Sequence, residues 1–134
     1  MQRAVYRWLE HTGELELEIE APDGQAVFAD ALSALAEVLA DEGGGPPELR
    51  RVELEATDRA GLLADWLDEL VYLADTAGFV PQTLVELELD AERLRAIVRG
   101  HLGAPRPLVK AVTRHNLAFS ERPGGCRARV VLDV

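Results

Sequence analysis

Cysteine and long hydrophobic runs are scarce in this sequence of 134 residues. Its one cysteine is Cys126, so no internal disulfide can form and nothing demands an oxidising compartment. No apolar run approaches the roughly 18 residues that a membrane-spanning helix needs. Residues 1–8 contain no uninterrupted apolar segment typical of a signal peptide. We therefore expect a soluble cytoplasmic protein with no membrane partner.

Motifs of zinc, nucleotide and nucleophilic chemistry are also missing. The three histidines, His11, His101 and His115, are isolated in sequence, and no Cys/His spacing is typical of zinc. There is no Gly-x-Ser-x-Gly, dinucleotide or His-Glu-x-x-His motif. Gly43–Gly45 could mimic a phosphate-binding loop, but a linker is favoured because no Lys-Ser/Thr follows. The chain offers many carboxylates and no recognisable nucleophile.

Charge is plentiful but unevenly divided along the chain. Residues 1–90 hold 5 Lys/Arg and 21 Asp/Glu, a net charge of −16. Residues 91–134 hold 9 Lys/Arg and 3 Asp/Glu, a net charge of +6. The total of −10 disfavours direct tight binding of RNA or DNA, because free-standing nucleic-acid binders are normally basic. Within one domain, the basic strands could instead pair with the acidic ones.

Hydrophobic periodicity predicts an α+β fold, a single domain over residues 1–134 with mostly antiparallel β-sheets and two helices. The helices are predicted at about 23–41 and 58–77, with Trp66 as a core anchor. Alternating segments predict strands over 3–10, 14–20, 52–56, 85–90, 93–99, 110–117 and 126–134. The segments 85–90 and 93–99 form a hairpin whose opposite charges suit cross-strand ion pairs. Residues 101–107 are predicted to form a Gly/Pro loop, and Cys126 a small buried hydrophobe.

Acidic and apolar residues alternate without a break from Glu14 to Glu20. In a strand, this pattern points four glutamates away from the core. One interpretation is an ordinary solvated sheet face. The other is that Glu14, at the start of the strand, belongs to a cation site built from oxygen ligands. Asp133 and the carboxylate of Val134 would join this site if the strand at 126–134 lay beside the strand at 14–20. Asp65 and Glu69, spaced i and i+4, are a further candidate pair, although such pairs usually lie on the wet side of a helix.

Four blocks in order along the chain resemble the archease family. They are Glu10–Glu14 (typically E-H-T-A-D in archeases), Asp65–Leu70, Val109–His115 and Val131–Val134. The first block departs from the family pattern because Gly13-Glu14 replaces Ala-Asp. In the third block, Arg114 replaces the usual Tyr, and Asn116 follows His115 in place of the usual Asp.

The resemblance implies a protein that is not itself an enzyme but activates the GTP-dependent RtcB-type RNA ligase of tRNA splicing and RNA repair. Archeases promote guanylylation and multiple turnover of that ligase. Carried over by position, the implied metal ligands are Glu14, Asp133 and Val134, and the implied cofactor is a divalent cation, typically Ca²⁺, with Mg²⁺ or Mn²⁺ as alternatives. Lys110 and His11 are the implied residues for ligase activation.

Two other functions stay open at this point. A chaperone-like or adaptor module would hold partner proteins without ligase chemistry, and an acidic surface with a basic patch is compatible with that. A hydrolase using Asp65 and Glu69 is less favoured, because no companion base is visible in the sequence.

Overall fold

Two antiparallel sheets and two helices make up the part of the chain that the computed structural model describes, residues 5–134. The strands and helices are β1 (Val5–His11), β2 (Glu14–Ala21), α1 (Gly24–Leu39), β3 (Pro47–Glu55), α2 (Arg59–Ala77), β4 (Phe79–Leu89), β5 (Arg93–Leu102), β6 (Ala111–Arg122) and β7 (Gly125–Asp133). One sheet has the order β1-β2-β7-β6 and the other β3-β5-β4. The predicted α+β class is confirmed. Residues 3 and 4 of the first predicted strand lie outside the described residues.

An aspartate caps the N-terminus of each helix. Asp23 accepts a hydrogen bond from the Ala26 N–H at 2.9 Å, and Asp58 accepts one from the Gly61 N–H at 2.7 Å. Such bonds satisfy N–H groups that have no partner inside the helix. The second helix ends at Gly78, whose φ of 65° is one that glycine adopts without steric cost.

The core lies between the helices and the inner faces of the sheets. Its largest fully buried side chain is Trp66, whose Nε1–H donates to the Phe28 carbonyl at 3.0 Å. This bond ties α2 to α1 and satisfies the one polar atom of the indole. Cys126 is 7% exposed, and burial raises the pKa of its thiol. Its predicted role as a small buried hydrophobe is confirmed.

Ion pairs cross the outer face of the β3-β5-β4 sheet. The pair between β4 and β5 is the one that the hairpin pattern predicts, whereas the pairs between β5 and β3 were not predicted. Arg95 lies 3.7 Å from Glu53 of β3 and 3.9 Å from Glu88 of β4, and Arg93 lies 3.2 Å from Glu55. All five side chains are more than half exposed, so each pair contributes little to stability.

The prediction that residues 101–107 form a loop is wrong at its start, because His101 and Leu102 complete β5. His101 pairs with strands on both sides, is 6% exposed, and has its Nε2 2.8 Å from Asp41 Oδ1. The other oxygen of Asp41 accepts from the Ala104 N–H at 3.0 Å. The hydrogen bonds from Ala104 and His101 lower the pKa of Asp41 to about 2. The Asp41 carboxylate thus links the loop that follows α1 to the end of β5 and the loop that follows it.

Neither helix combines the length and apolar character that crossing a lipid bilayer would need.

Replacing Trp66 with Phe should lower the free energy of unfolding by about 1–3 kcal/mol, because the indole hydrogen bond is lost and a void opens in the core. Urea unfolding followed by circular dichroism measures the change. The matched control is Trp8→Phe, at a half-buried position of β1, where the loss should stay below about 1 kcal/mol. Equal losses at the two positions would contradict the anchoring role of Trp66.

Asp41→Asn should remove a pH-dependent part of the stability. Because the pKa of Asp41 falls from 3.8 to about 2 on folding, the ionised carboxylate stabilises the native state above pH 3.8. That contribution is lost as the pH falls towards about 2. The difference in unfolding free energy between wild type and Asp41→Asn should therefore shrink across this interval. Glu42→Gln, at an exposed neighbour, should show no such trend.

Candidate metal and partner site

The start of β2 and the end of β7 lie side by side, so that Glu14 is directly opposite Asp133. On the other side of β2, His11 of β1 is directly opposite Glu14. Directly opposed residues of antiparallel strands project from the same face, with their Cβ atoms roughly 4.5–5.5 Å apart. The sheet therefore presents His11, Glu14 and Asp133 as one row across its outer face.

Main-chain hydrogen bonds bring the remaining two predicted residues to the same row. The Val134 N–H donates to the Gly13 carbonyl at 3.0 Å, and the Lys110 N–H donates to the Asp133 carbonyl at 2.8 Å. Gly13 lies in the turn between β1 and β2 with a φ of 73°, a conformation that favours glycine. The structure thus places all five residues predicted for the site at one end of the sheet.

Three of the four outward glutamates of β2 have basic partners, and Glu14 is the exception. Glu16 lies 3.5 Å from His11, Glu18 lies 2.6 Å from Arg7, and Glu20 lies 3.2 Å from Arg127. The hydrogen bond from Arg7 lowers the pKa of Glu18. Within residues 5–134, no basic group lies within 4.0 Å of the Glu14 or Asp133 carboxylate. The acidic strand therefore has basic partners along its length except at one end.

Two neighbouring carboxylates without a cation repel each other, and a bound cation would remove that repulsion. Their oxygens are ligands that hard divalent ions such as Ca²⁺ and Mg²⁺ prefer. Across the described part of the chain, however, no three His, Cys, Asp or Glu side chains converge as a metal site. Glu14 and Asp133 would thus have to be completed by main-chain oxygens or water.

A register shift in β6 is the feature nearest this row that the sequence does not reveal. Thr113 pairs with Val131 and Ala118 with Arg129, so the residues between them leave the regular ladder. In this bulge, Asn116 has a φ of 57°, and its carbonyl accepts from Arg129 Nε at 2.9 Å. Bulges of this kind redirect side chains at the edge of a sheet.

Asp65 of α2 has a hydrogen-bond partner in the same bulge. Arg114, at its start, donates a hydrogen bond to the Asp65 carboxylate of α2 and so links helix to sheet. Because Asp65 has this structural partner, the alternative of a metal or hydrolase site at Asp65 and Glu69 is not favoured.

The segment that leads to Lys110 is held by Arg106, a residue that the sequence analysis did not single out. The Arg106 N–H donates to the Leu39 carbonyl at 3.1 Å, and its guanidinium donates to the Glu37 carbonyl at 2.9 Å. These carbonyls belong to the last turn of α1. No helical N–H lies beyond that turn to donate to them. Helix α1 and Asp133 thus fix the two ends of the segment carrying Lys110.

Comparison with known proteins gives a consistent result. Residues 6–134 match the model of the "Archease protein family (MTH1598/TM1083)". The solution structure of Methanobacterium thermoautotrophicum protein 1598 is similar at 26% identity and a TM-score of 0.68, over 96% of this chain and 98% of that one. A crystal structure from Thermotoga maritima, described as "an archease, possible chaperone", shares the fold at 20% identity and a TM-score of 0.66, over 94% of each chain. No curated protein matches significantly.

The family match covers nearly the whole described structure, including the row of His11, Glu14 and Asp133. The chain therefore belongs to the archease family.

Proposed function

We propose that this protein is a cytoplasmic activator of a GTP-dependent RtcB-type RNA ligase, acting in tRNA splicing or RNA repair by promoting ligase guanylylation and multiple turnover. The observation that carries the proposal is the unpaired Glu14 and Asp133 beside Lys110, on a face whose other β2 glutamates all have basic partners. Membership of the archease family supports it. The protein supplies a positioned surface to the ligase, and the ligase carries out the chemistry.

In this proposal, Glu14, Asp133 and the carboxylate of Val134 hold a divalent cation, with Ca²⁺ the best fit. Calcium accepts six to eight oxygen ligands in irregular geometry, so it tolerates the longer side chain of Glu14 and a shell completed by water. The cation would supply positive charge at the contact with the ligase's guanylate. The hydrogen bond between Val134 and Gly13 fixes the end of β7 against the turn, which keeps these oxygens together.

Lys110 and His11 lie at opposite ends of the row, with the proposed cation between them. The ammonium of Lys110 is a compact charge on a flexible stem, suited to reach a phosphate of the guanylate. Its main chain is bonded to Asp133, so it moves with the metal ligands. His11, directly opposite Glu14 and 53% exposed, is available to donate a hydrogen bond to the partner.

Adding this protein to its cognate ligase should convert ligation from a single turnover to many turnovers. Asp133→Ala should abolish this stimulation, because it removes a carboxylate from an exposed position without disturbing the core. The measurement is the number of RNA joins per ligase molecule with GTP in excess.

Glu20→Ala is the matched control, since Glu20 lies on the same face but pairs with Arg127 at the far end of β2. It should retain full stimulation. An unchanged turnover number on adding the wild-type protein would rule out the proposed function, whatever the variants do.

Calcium binding should be measurable without the ligase. Glu14→Gln should weaken it about tenfold or more, because one of the charges next to the ion is lost. Isothermal titration of Ca²⁺ into the wild type, Glu14→Gln and the control Glu20→Gln tests this. Equal binding by all three proteins would place the ion elsewhere.

A chaperone-like role is the second candidate, favoured by the description of the Thermotoga maritima relative as a possible chaperone. Such a protein would bind many unfolded clients, and chelators would not affect that binding. Aggregation assays with unrelated unfolded proteins, with and without a chelator, distinguish this role from ligase activation.

A further inference from the structure

The outer edge of β3 is an exposed strand edge with its hydrogen-bonding groups in place. β3 pairs with β5 over nine consecutive residues without a register shift, whereas β4 and β6 both contain shifts. Its main packing partners are β5 and α2, and no other strand within residues 5–134 pairs with it. A straight edge of this length, with free N–H and C=O groups, can act as a template for another strand.

The alternating hydrogen bonds between β3 and β5 show which main-chain groups of β3 face outwards. The Leu102 N–H donates to the Pro46 carbonyl and the Ala56 N–H donates to the Glu92 carbonyl, both at 2.9 Å. Bonded and non-bonded pairs alternate in an antiparallel ladder, so the even-numbered residues of β3 bond to β5. The N–H and C=O groups of the odd-numbered residues, Leu49, Arg51, Glu53 and Glu55, therefore point away from the sheet.

The exposed side chains along this edge favour a second copy of the same chain. When β3 pairs with itself antiparallel about a two-fold axis at Val52, Arg51 of one copy is directly opposite Glu53 of the other, twice. A register centred on Arg51 would oppose two arginines, and one centred on Glu53 would oppose two glutamates. Like charges directly opposite each other are destabilising, so of these three registers only the one centred on Val52 avoids such contacts.

On the outer face of β3, Arg51 is an unpaired charge and Leu49 an exposed apolar side chain. Arg51 is exposed and, like Arg99 on the same face, has no carboxylate within 4.0 Å in the described chain, whereas Arg93 and Arg95 are paired. Leu49 is 58% exposed. By contrast, Arg50 on the inner face of this edge is bonded to Glu48 and lies over the Phe79 ring, so it brings no unpaired charge to the seam.

We propose that the protein forms a two-fold symmetric dimer by antiparallel pairing of β3 with β3 of a second copy. The two three-stranded sheets become one six-stranded sheet in the order β4-β5-β3-β3-β5-β4. Across the seam, Glu88, Arg95 and Glu53 of one copy continue into Arg51 of the other, which extends an alternating row of charges. The partner is the same chain because its own edge supplies the complementary charge: in the register centred on Val52, Arg51 and Glu53 are opposed twice.

Sedimentation equilibrium over a concentration series tests the pairing and its register. The wild type should dimerise, and Arg51→Glu and Glu53→Arg should each raise the dimer dissociation constant about 10- to 100-fold, because each turns two attractive contacts into repulsive ones. An equimolar mixture of the two variants should dimerise again, since each provides the charge that the other lacks.

Arg122→Glu is the matched control, with the same charge change on an exposed residue of the other sheet. It should leave the dissociation constant unchanged. A wild type that stays monomeric to millimolar concentration would overturn the proposal. So would a dimer that Arg51→Glu leaves intact, or variants that do not associate when mixed. Pairing of β3 with a strand of another protein would appear as a monomer that binds that partner, and would also overturn it.

Discussion

The pairing of β2 with β7 is the interaction on which the candidate site depends. It joins a strand near the start of the chain to its last strand at the centre of the four-stranded sheet. Shifting this register by one residue would turn the apolar side chains of β2 outwards and its glutamates into the core. Burial of Leu17 and Ile19, at 0% and 1% exposure, therefore fixes the position of Glu14 relative to Asp133 as well. Core packing and site geometry are set by the same contact.

The uneven distribution of charge along the chain has a structural consequence. The acidic first part and the basic last part meet within the sheets, where Glu20 pairs with Arg127 and Glu53 with Arg95. Because most of these pairs are exposed, they limit repulsion more than they add stability. Other charged side chains, such as Glu86 and Arg99, have no such partner in residues 5–134. Glu14 and Asp133 are unpaired carboxylates at one place, and Arg51 is an unpaired cation at another.

The elements were predictable where local signals were strong. Helix α2 was expected at 58–77 and observed at Arg59–Ala77, because its apolar stripe, the Asp58 cap and Gly78 all point to the same bounds. The opposed charges of the β4–β5 hairpin were similarly clear. Membership of the archease family followed from four short blocks spread along the chain, none of which is specific alone.

Long-range contacts were not predictable from local signals. His101 precedes a Gly/Pro-rich segment and was assigned to it, yet its pairing with β3 and β4 and its bond to Asp41 keep it in the sheet. The bulge in β6 depends on Arg114 reaching Asp65 and on Arg129 bonding to Asn116, partners 49 and 13 residues away along the chain. Periodicity within a single strand carries no information about such partners.

The two unpaired regions belong to different sheets, which allows both to function at once. Glu14 and Asp133 lie in the β1-β2-β7-β6 sheet, and Arg51 lies at the edge of the β3-β5-β4 sheet. Pairing through β3 uses none of the proposed metal ligands, nor Lys110. A dimer would therefore leave both copies of the proposed cation site intact, each open to a partner molecule of its own. If ligase activation requires only one site, variants that separate the copies will leave the stimulation per protomer unchanged. Dimerisation and activation can then be measured as independent properties of the same chain.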